Sequence, residues 1–422
     1  MLFKQFVFLG ALSVAAAASE VPEATFPAGM GVNIHFVRGQ KKDLDMIAAA
    51  GFKWVRMDFA WESIERKRGE YDWKAYDELS ANLEKRGIRA IYILDYSNPL
   101  YEEKVESKNP LTSAAQRDTA SPQHPESIAA FAKWAAAAAV HFKDRRIIWE
   151  IWNEPNISFW KPKPNAEQYA VLAVAACEAI RRAQPDATIV GPATSQFDWP
   201  FIETFFKSGV LQYLDAVSVH PYRGPKQGPE HAAAEFKRLR GLIAKYGKDD
   251  RQKNLPILSG EWGYSSKTGE TPPETQAAYF ARQQLSNLLE GVPISIWYDW
   301  KNDGPDPNDH ESNFGTVTHD LEPKPAYVAA KTLTAELSGY RILRRLATDA
   351  NDYVLTCVNS SGGCKLVCWT TGEAHPVTID PPFKSARWGG GVDGLGRDYS
   401  PKSDKGQWVI ELEAMPKYLT AN

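Results

Sequence analysis

The chain has 422 residues, of which 43% are hydrophobic and 24% charged, a composition typical of a soluble protein with one large domain and a small second one. A formal net charge of -3 and the lack of any run of basic residues argue against a nucleic-acid partner. The 14 Trp and 17 Tyr residues exceed the usual needs of a core, and these side chains suit a ligand that is partly polar.

The first 19 residues have the pattern of a secretory signal peptide. Lys4 precedes an apolar run from Phe6 to about Ala15, and small residues follow. Because the run is too short to span a bilayer comfortably, we predict a signal peptide at 1–19 and a secreted or periplasmic protein, with a buried N-terminal helix as the alternative. No later segment offers 18 apolar residues without a charge, so we expect no membrane span once the signal is removed.

Between residues 26 and 338, short apolar runs alternate with amphipathic helical patterns. We predict eight strands, at 31–36, 53–59, 89–96, 147–154, 187–192, 216–221, 256–262 and 294–300. We predict helices at 73–87, 125–143, 165–183, 272–291 and 324–339, several of which begin with Pro or Asn and end near Gly. This alternation predicts an α/β fold, a (β/α)8 TIM barrel. A doubly wound open sheet is the alternative, but no Gly-rich phosphate loop follows any predicted strand.

The C-terminal part, residues 339–422, has short alternating runs separated by turn residues. This pattern predicts a small antiparallel, β-sandwich-like domain that packs on the barrel, with a sugar-binding role as the alternative. Cys357 and Cys364 flank the sequence VNSSGG, and a hairpin turning there would place them opposite each other. Whether they form a disulfide stays open at this point. No histidine lies at a spacing from the cysteines of this region that would suit a metal site.

Six of the predicted barrel strands carry polar or aromatic side chains at or near their carboxyl ends. They are Arg56 and Asp58, Asp95 and Tyr96, Asn153 and Glu154, His220 and Tyr222, Glu261, and the group Trp297, Tyr298 and Asp299. Because the active sites of such barrels lie at the carboxyl ends of the strands, we expect these side chains to converge on one rim.

Two glutamates stand out, because Glu154 and Glu261 lie at the carboxyl ends of the fourth and seventh predicted strands, which face each other across the barrel mouth. Carboxyl groups about 5–5.5 Å apart suit retaining glycoside hydrolysis, whereas a wider gap would admit a water molecule and imply inversion. A nucleophilic carboxylate must stay ionised, and a nearby Arg and a Tyr hydroxyl favour its charged form, while apolar surroundings would keep a proton on the acid. Glu150 lies at the other end of its strand and is interpreted as a core residue.

The segments IWNEPN, SVHPY and SGEWG resemble the signatures of the clan A retaining β-glycoside hydrolases, and families 5 and 39 are the nearest ones. The resemblance covers roughly residues 29–337. It implies that Glu154 is the acid/base and Glu261 the nucleophile. It also implies supporting roles: Asn153 at the sugar 2-hydroxyl, Arg56 and Tyr222 holding the nucleophile, His220 lining the site and Trp297 forming the floor under the sugar.

Further aromatic residues near the expected mouth could stack on sugar rings. Trp61, Tyr96 and Trp160 are the candidates, and packing against loops is their alternative role. We predict a monomer that needs no cofactor or metal and acts on a poly- or oligosaccharide. A non-catalytic polysaccharide-binding protein on the same barrel is the alternative from another class. A metal-dependent barrel hydrolase is disfavoured because only His35 and His220 lie on predicted strands.

Overall fold

The fold is taken from a computed structural model that describes residues 20–109, 114–346, 348–380 and 388–421. The predicted signal peptide at 1–19 lies outside these ranges. Within them, no helix combines the length and the apolar character needed to cross a membrane.

Eight parallel strands close into a barrel, which confirms the predicted fold class. Among the described residues, the first ten strands are β1 (Met30–Asn33), β2 (Trp54–Ala60), β3 (Arg89–Asp95), β4 (Lys104–Lys108), β5 (Ala115–Thr119), β6 (Ile148–Ile151), β7 (Thr188–Ser195), β8 (Ala216–His220), β9 (Ile257–Trp262) and β10 (Ser295–Trp297). The barrel has the order β1-β10-β9-β8-β7-β6-β3-β2, while β4 and β5 form a separate hairpin. Apolar side chains such as Ile91, Ile148 and Leu258 fill its interior, as expected for strands buried on both faces.

Helices surround the barrel, and several of them begin where the sequence provides a suitable first residue. They are α1 (Lys41–Ala50), α2 (Trp61–Ile64), α3 (Lys74–Glu84), α4 (Pro125–His141), α5 (Ala166–Ala183), α6 (Trp199–Lys207), α7 (Ala233–Tyr246), α8 (Asp250–Lys253), α9 (Pro273–Leu289) and α10 (Pro325–Leu337). Pro occupies the first position of α4, α9 and α10, where its missing N–H costs nothing. The Asn165 side chain caps α5 by accepting from the Gln168 backbone N–H at 2.9 Å. Short 3-10 turns lie at Lys143–Arg145, Val210–Gln212, Pro229–Ala232 and Glu311–Asn313.

The C-terminal part forms two antiparallel sheets. Its strands are β11 (Tyr340–Arg345), β12 (Asp352–Asn359), β13 (Cys364–Thr370), β14 (His375–Ile379), β15 (Trp388–Asp393), β16 (Asp398–Tyr399), β17 (Lys402–Asp404), β18 (Gln407–Leu412) and β19 (Lys417–Ala421). One sheet has the order β11-β12-β13-β19-β15-β16 and the other β14-β18-β17. Val354 and Leu366 of the first sheet share an apolar cluster with Ile410 and Leu412 of the second, so the two sheets enclose a small core of their own.

Buried polar contacts attach this small domain to the barrel. The Trp369 indole donates a hydrogen bond to Glu230 Oε1 at 2.8 Å. The same carboxylate accepts from Arg282 Nε of α9 at 2.7 Å. Within the small domain, Tyr353 stacks on Trp369 with 4.7 Å between ring centroids and supports the indole. The predicted packing role of the domain therefore has a physical basis in these contacts.

The register of β12 and β13 argues against a bond between Cys357 and Cys364. Cys357 lies opposite Lys365, and Cys364 lies opposite Val358. Because successive side chains of a strand point to opposite faces, the two thiols lie on different faces of the sheet. All four cysteines are free, so the pairing that the sequence left open is not formed.

We expect the thermal unfolding midpoint to be the same with and without a thiol reductant, because no disulfide restricts the unfolded chain. A native disulfide would contribute about 2–5 kcal/mol. Differential scanning calorimetry with and without reductant checks this expectation. A midpoint that falls by several degrees in the reductant would contradict it, and labelling of unfolded protein by a thiol reagent at four sites provides an independent count.

Candidate active site

Most of the strand-end side chains that were predicted to converge line one cavity at the carboxyl ends of the barrel strands. Four of them do not line it: Asp95, His220, Trp297 and Asp299. This catalytic cavity has a volume of about 380 Å³. Its lining residues are Asn33, Ile34, His35, Arg56, Met57, Asp58, Ile93, Tyr96, Asn153, Glu154, Phe159, Ser195, Tyr222, Glu261, Tyr298, His310, Glu311 and Phe314. Both predicted catalytic glutamates are therefore among its walls.

Glu261, near the end of β9, is held by three hydrogen-bond donors. Its Oε2 accepts from Arg56 Nη1 at 2.6 Å and from Asn33 Nδ2 at 3.0 Å. Its Oε1 accepts from the Tyr222 hydroxyl at 2.8 Å. These three donors fix the position of the carboxylate. Burial and the charge of Glu261 raise the pKa of Tyr222 well above its usual value, so this hydroxyl remains a donor.

Glu154 lies just beyond β6 in a more apolar position. Its backbone φ of 44° is in the left-handed region, which costs about 1–3 kcal/mol in a residue other than glycine. Its N–H donates to the Ala193 carbonyl at 3.0 Å, which helps to hold this conformation. Burial raises the pKa of Glu154 to about 7, although a hydrogen bond from Ser195 and the charge of Arg56 both act in the opposite direction. A carboxyl group with such a pKa can hold a proton near neutral pH and release it.

His220, at the end of β8, fixes the orientation of Glu154. Its Nδ1 lies 3.0 Å from Glu154 Oε1, and its Nε2 lies 3.2 Å from Arg56 Nη2. Burial and the charge of Arg56 lower the pKa of His220 to about 4, so the ring is neutral at pH 7. Because Arg56 can only donate, Nε2 accepts and the proton resides on Nδ1, which donates to Glu154 Oε1. The acidic proton of Glu154 is therefore carried on Oε2.

Arg56, on β2, connects the two glutamates. Besides Glu261, it donates from Nε to Glu150 Oε2 at 2.6 Å and from Nη2 to Asn153 Oδ1 at 2.9 Å. Its side chain is fully buried. Glu150 is not part of the cavity lining and accepts a second hydrogen bond from the Ser218 hydroxyl. It is thus the buried partner of Arg56, consistent with its interpretation as a core residue.

Asn153 and Tyr96 form the wall next to Glu154. Asn153 Nδ2 donates to the Tyr96 hydroxyl at 3.0 Å. The Tyr96 ring in turn stacks on Phe159, with 5.6 Å between centroids and 7° between planes. The amide and the phenol therefore line the catalytic cavity in fixed orientations, at positions where sugar hydroxyls can be bound.

Three predicted sugar contacts lie elsewhere. Trp297 is fully buried and does not line the catalytic cavity. Its neighbour Ile296 belongs to the apolar cluster inside the barrel, so Trp297 points outward, where it contacts Phe280 of α9 at 5.3 Å between centroids. The alternation of side chains along a strand leaves Tyr298 facing the cavity instead. The structure therefore contradicts the role of Trp297 as the floor.

Trp61 and Trp160 are also fully buried and absent from the lining of the catalytic cavity. The Trp61 indole donates to Glu65 Oε2 at 2.6 Å, and its ring stacks on Trp134 of α4. Trp160 packs on Trp152 at 5.1 Å between centroids. Both residues therefore have the alternative role considered for them, packing against the loops, and neither reaches the cavity.

Several residues line the catalytic cavity although the sequence did not identify them as substrate contacts. Asn33 is one of two polar residues in the predicted first strand, GVNIHF, and a polar side chain in an otherwise apolar strand was the available signal. His310, Glu311 and Phe314 come from the loop after β10. A long loop has no periodicity from which the direction of its side chains can be predicted.

The two glutamates and His220 also form a group of potential metal ligands. One carboxylate oxygen each from Glu154 and Glu261 and one ring nitrogen of His220 lie within 4.8 Å of one another. Both nitrogens of His220 are engaged, one with Glu154 and the other with Arg56. The guanidinium already supplies a positive charge 2.6 Å from Glu261, so a second cation there would be repelled. The arrangement fits acid–base and nucleophilic chemistry better than metal binding.

We expect kcat/KM to fall as the pH rises through about 7, because only protonated Glu154 is an acid and burial raises its pKa to about 7. Since kcat/KM reports the free enzyme, this pKa should appear directly in its profile. Ser195→Ala removes a hydrogen bond that lowers this pKa, so the variant should shift the basic limb to higher pH. Initial rates between pH 4 and 10 check both statements. A limb that moves to lower pH in Ser195→Ala would contradict them.

Comparison with known proteins agrees with this geometry. Residues 18–304 match the family described as cellulase (glycosyl hydrolase family 5). A curated relative, "Beta-xylosidase" of Caldicellulosiruptor saccharolyticus, is 28% identical over 217 residues, covering 47% of this chain and 43% of the relative. The chain thus matches less than half the length of that relative.

Two solved structures extend the likeness to nearly the whole chain. A family 39 glycoside hydrolase from Bacteroides cellulosilyticus WH2 is 25% identical with a TM-score of 0.80, covering 96% of this chain and 82% of the other. A family 39 β-xylosidase from Caulobacter crescentus is 17% identical with a TM-score of 0.67, covering 93% and 96% of the two chains, and shows the shared fold. The chain belongs to the cellulase family (glycosyl hydrolase family 5).

Proposed function

We propose that this enzyme hydrolyses β-glycosidic bonds of a saccharide with retention of configuration, by double displacement. The observation that carries the proposal is the short separation of the two carboxylates, which have oxygens within 4.8 Å of each other. Retaining enzymes place their carboxyl groups about 5–5.5 Å apart, whereas inverting enzymes need about 6.5–9.5 Å to fit a water molecule.

In the first step, Glu261 attacks the anomeric carbon while Glu154 transfers its proton to the leaving oxygen. The carbon–oxygen bond of the glycoside breaks as the bond to Glu261 forms. Arg56, Asn33 and Tyr222 hold the attacking carboxylate in place through the hydrogen bonds described above. The Nδ1–H of His220 stabilises Glu154 once it becomes a carboxylate.

In the second step, ionised Glu154 takes a proton from water, and the water oxygen attacks the anomeric carbon. The bond to Glu261 breaks, the sugar is released with its original configuration, and Glu154 is again protonated. The same residue serves as acid and then as base because its pKa of about 7 permits both forms near neutral pH.

For the sugar, we propose a β-xyloside, with a β-glucoside as the second candidate. The matched relative is named a β-xylosidase, while the family is described as cellulase. Rates on aryl β-xyloside and aryl β-glucoside separate the two sugars. Proton NMR of the first product separates the mechanisms, because a β anomer supports retention and an α anomer would contradict it. Binding of saccharides without any product from a broad glycan panel would instead favour the non-catalytic alternative.

We also propose that the protein is exported, loses residues 1–19 and acts as a monomer. The apolar segment after Lys4 supports export. N-terminal sequencing of protein recovered from outside the cytoplasm would find a new terminus near residue 20 if the proposal holds. Light scattering of the purified protein tests the monomer, since a mass near twice 47.1 kDa would contradict it.

A further inference from the structure

The loop after β8 begins at the candidate active site and ends at a buried carboxylate. It comprises residues 221–228 and continues into the 3-10 turn Pro229–Ala232. Near its start, the Tyr222 hydroxyl donates to Glu261 Oε1 at 2.8 Å. In the 3-10 turn, Glu230 is only 8% exposed. The position of the hydroxyl that contacts Glu261 therefore depends on how this loop is held.

The Glu230 carboxylate is held by two elements that lie far from it in the sequence. Arg282 of α9 donates to both of its oxygens, from Nε to Oε1 at 2.7 Å and from Nη2 to Oε2 at 2.8 Å. Trp369 of β13 is fully buried and donates from its indole to Oε1 at 2.8 Å. A carboxylate bound by a bidentate arginine and one further donor has a fixed orientation. The small domain, which comprises β11–β19, thus supplies one of the three hydrogen bonds that fix the end of the loop.

Side-chain contacts connect this fixed end with Tyr222. Helix α7 begins at Ala233, directly after the 3-10 turn, and Glu235 in its first turn forms an ion pair with Arg223. Arg223 Nη1 donates in turn to the backbone carbonyl of Tyr222 at 3.2 Å. A displacement of the 3-10 turn would displace the start of α7 and, through this ion pair, the backbone that carries the Tyr222 side chain.

The middle of the loop is bound to the segment after β9, the strand that carries the proposed nucleophile. Tyr264, two residues beyond β9, donates from its hydroxyl to the Gln227 carbonyl at 2.8 Å. The Tyr264 ring contacts the ring of Tyr279 on α9 at 4.4 Å between centroids. Tyr279 lies one turn before Arg282 and under its guanidinium, 5.2 Å from ring centroid to Cζ. The loop, the end of β9 and α9 therefore form one cluster, and the indole of Trp369 contacts its Glu230 side.

The loop offers little packing of its own that would hold Tyr222 without these contacts. Residues 224–227 are exposed and belong to no helix or strand. Segments with few buried contacts open locally at a low cost in free energy. The contacts at the two ends of the loop therefore decide where Tyr222 lies.

We propose that Trp369 is a positioning residue for the reaction, and that the small domain serves catalysis by holding the loop that carries Tyr222. The inference rests on the proposed function, in which Glu261 is the nucleophile and the Tyr222 hydroxyl helps to orient it. Trp369 does not line the catalytic cavity and acts through Glu230 and the loop. A nucleophile that is displaced slightly loses rate, because its attack requires a close and aligned approach.

A double-mutant cycle of Trp369→Phe and Tyr222→Phe tests this inference. The rate measured is kcat/KM on a dinitrophenyl glycoside, whose leaving group departs without a proton, so that the rate reports the attack by Glu261. Tyr222→Phe removes a hydrogen bond to a charged group and should lower this rate by about 10- to 100-fold. Trp369→Phe should lower it by about tenfold in the unmodified enzyme. In the Tyr222→Phe variant it should lower it by less than about twofold, because the group that it positions is already gone.

The cycle distinguishes positioning from a general loss of structure. A smaller folded fraction would lower the rate by the same factor in both backgrounds, whereas positioning lowers it only where the Tyr222 hydroxyl is present. In the unmodified background, KM should stay within about twofold, because the walls of the catalytic cavity are unchanged. Urea unfolding verifies that each variant is folded under the assay conditions.

Tyr399→Phe is the matched control, because it removes a hydrogen bond within the small domain, from the Glu411 backbone N–H at 3.0 Å. It should leave the rate unchanged. If Trp369→Phe does not fold, Tyr353→Leu takes its place in the cycle, since it removes the ring that stacks on the indole. Equal losses in the two backgrounds, or no loss in either, would overturn the inference. An unchanged rate in Tyr222→Phe alone would instead count against Glu261 as the nucleophile, and so against the proposed function.

Discussion

Glu261→Gln should lower kcat by on the order of 10⁴-fold or more, the scale seen when an enzyme loses its nucleophile. The neutral amide cannot attack the anomeric carbon, and it cannot stabilise the positive charge that develops on that carbon in the transition state. It keeps the size of the carboxylate. Its oxygen can still accept from Arg56, while its NH2 group, in the place of Oε1, would donate to the Tyr222 hydroxyl oxygen. Turnover of an aryl glycoside, measured beside far-UV circular dichroism to confirm folding, gives the result.

Two further variants, Glu154→Ala and Glu261→Gly, distinguish the catalytic roles of the two glutamates. Glu154→Ala should lose most activity on natural leaving groups, by about 10²–10⁴-fold, but much less on a dinitrophenyl glycoside, which leaves without a proton. Added azide should rescue it and yield a β-glycosyl azide, whereas rescue of Glu261→Gly should yield the α product. Glu178→Gln, at an exposed position on α5, should behave as the unmodified enzyme. Full activity of Glu261→Gln, or exchanged azide anomers, would refute the assignment.

Arg56→Met should destabilise the protein by about 3–5 kcal/mol, because it leaves carboxylates buried without their cation. Arg56 is fully buried and contacts both Glu150 and Glu261 at 2.6 Å. The methionine fills a similar volume but cannot donate a hydrogen bond. Urea unfolding followed by tryptophan fluorescence measures the change, and activity should be lost as well since the nucleophile loses its charged partner.

Arg182→Met serves as the control for this prediction. Arg182 pairs with Glu178 one turn earlier on α5, and the two side chains are 76% and 51% exposed. Because exposed pairs are screened by water, we expect a change below about 1 kcal/mol. Equal effects of the two substitutions would contradict the central role of Arg56. A stable but inactive Arg56→Met protein would show that the residue serves catalysis without supporting the fold.

The barrel was predictable because its information is local. Eight apolar runs of strand length, separated by helical patterns with Pro or Asn at their starts, allow few architectures other than a closed parallel sheet. The two catalytic positions follow by the same reasoning, since Glu154 and Glu261 interrupt otherwise apolar strands at the ends where barrel active sites lie. Polar strand ends or the family resemblance also identified four supporting residues that lie at the site: Arg56, Asn153, His220 and Tyr222.

What only the tertiary structure decided depends on side-chain direction and on contacts between distant segments. Trp297 and Tyr298 are adjacent aromatic residues, and the sequence favoured the first, but strand alternation turns Trp297 toward α9 and Tyr298 toward the cavity. Cys357 and Cys364 are separated by the register of β12 and β13, since a register shifted by a single residue would place them directly opposite each other.

The chemistry of the site also required the folded chain. The pKa of Glu154 is raised because burial removes water from it, and burial is a property of all the elements that cover the carboxyl group. A cavity of about 240 Å³ also forms only where the β4–β5 hairpin meets the segment after β6. The sequence by itself thus determined the barrel and the identity of its two acids, since these follow from local pattern, whereas long-range packing decided their protonation, the orientation of the aromatic residues and the shape of the substrate site.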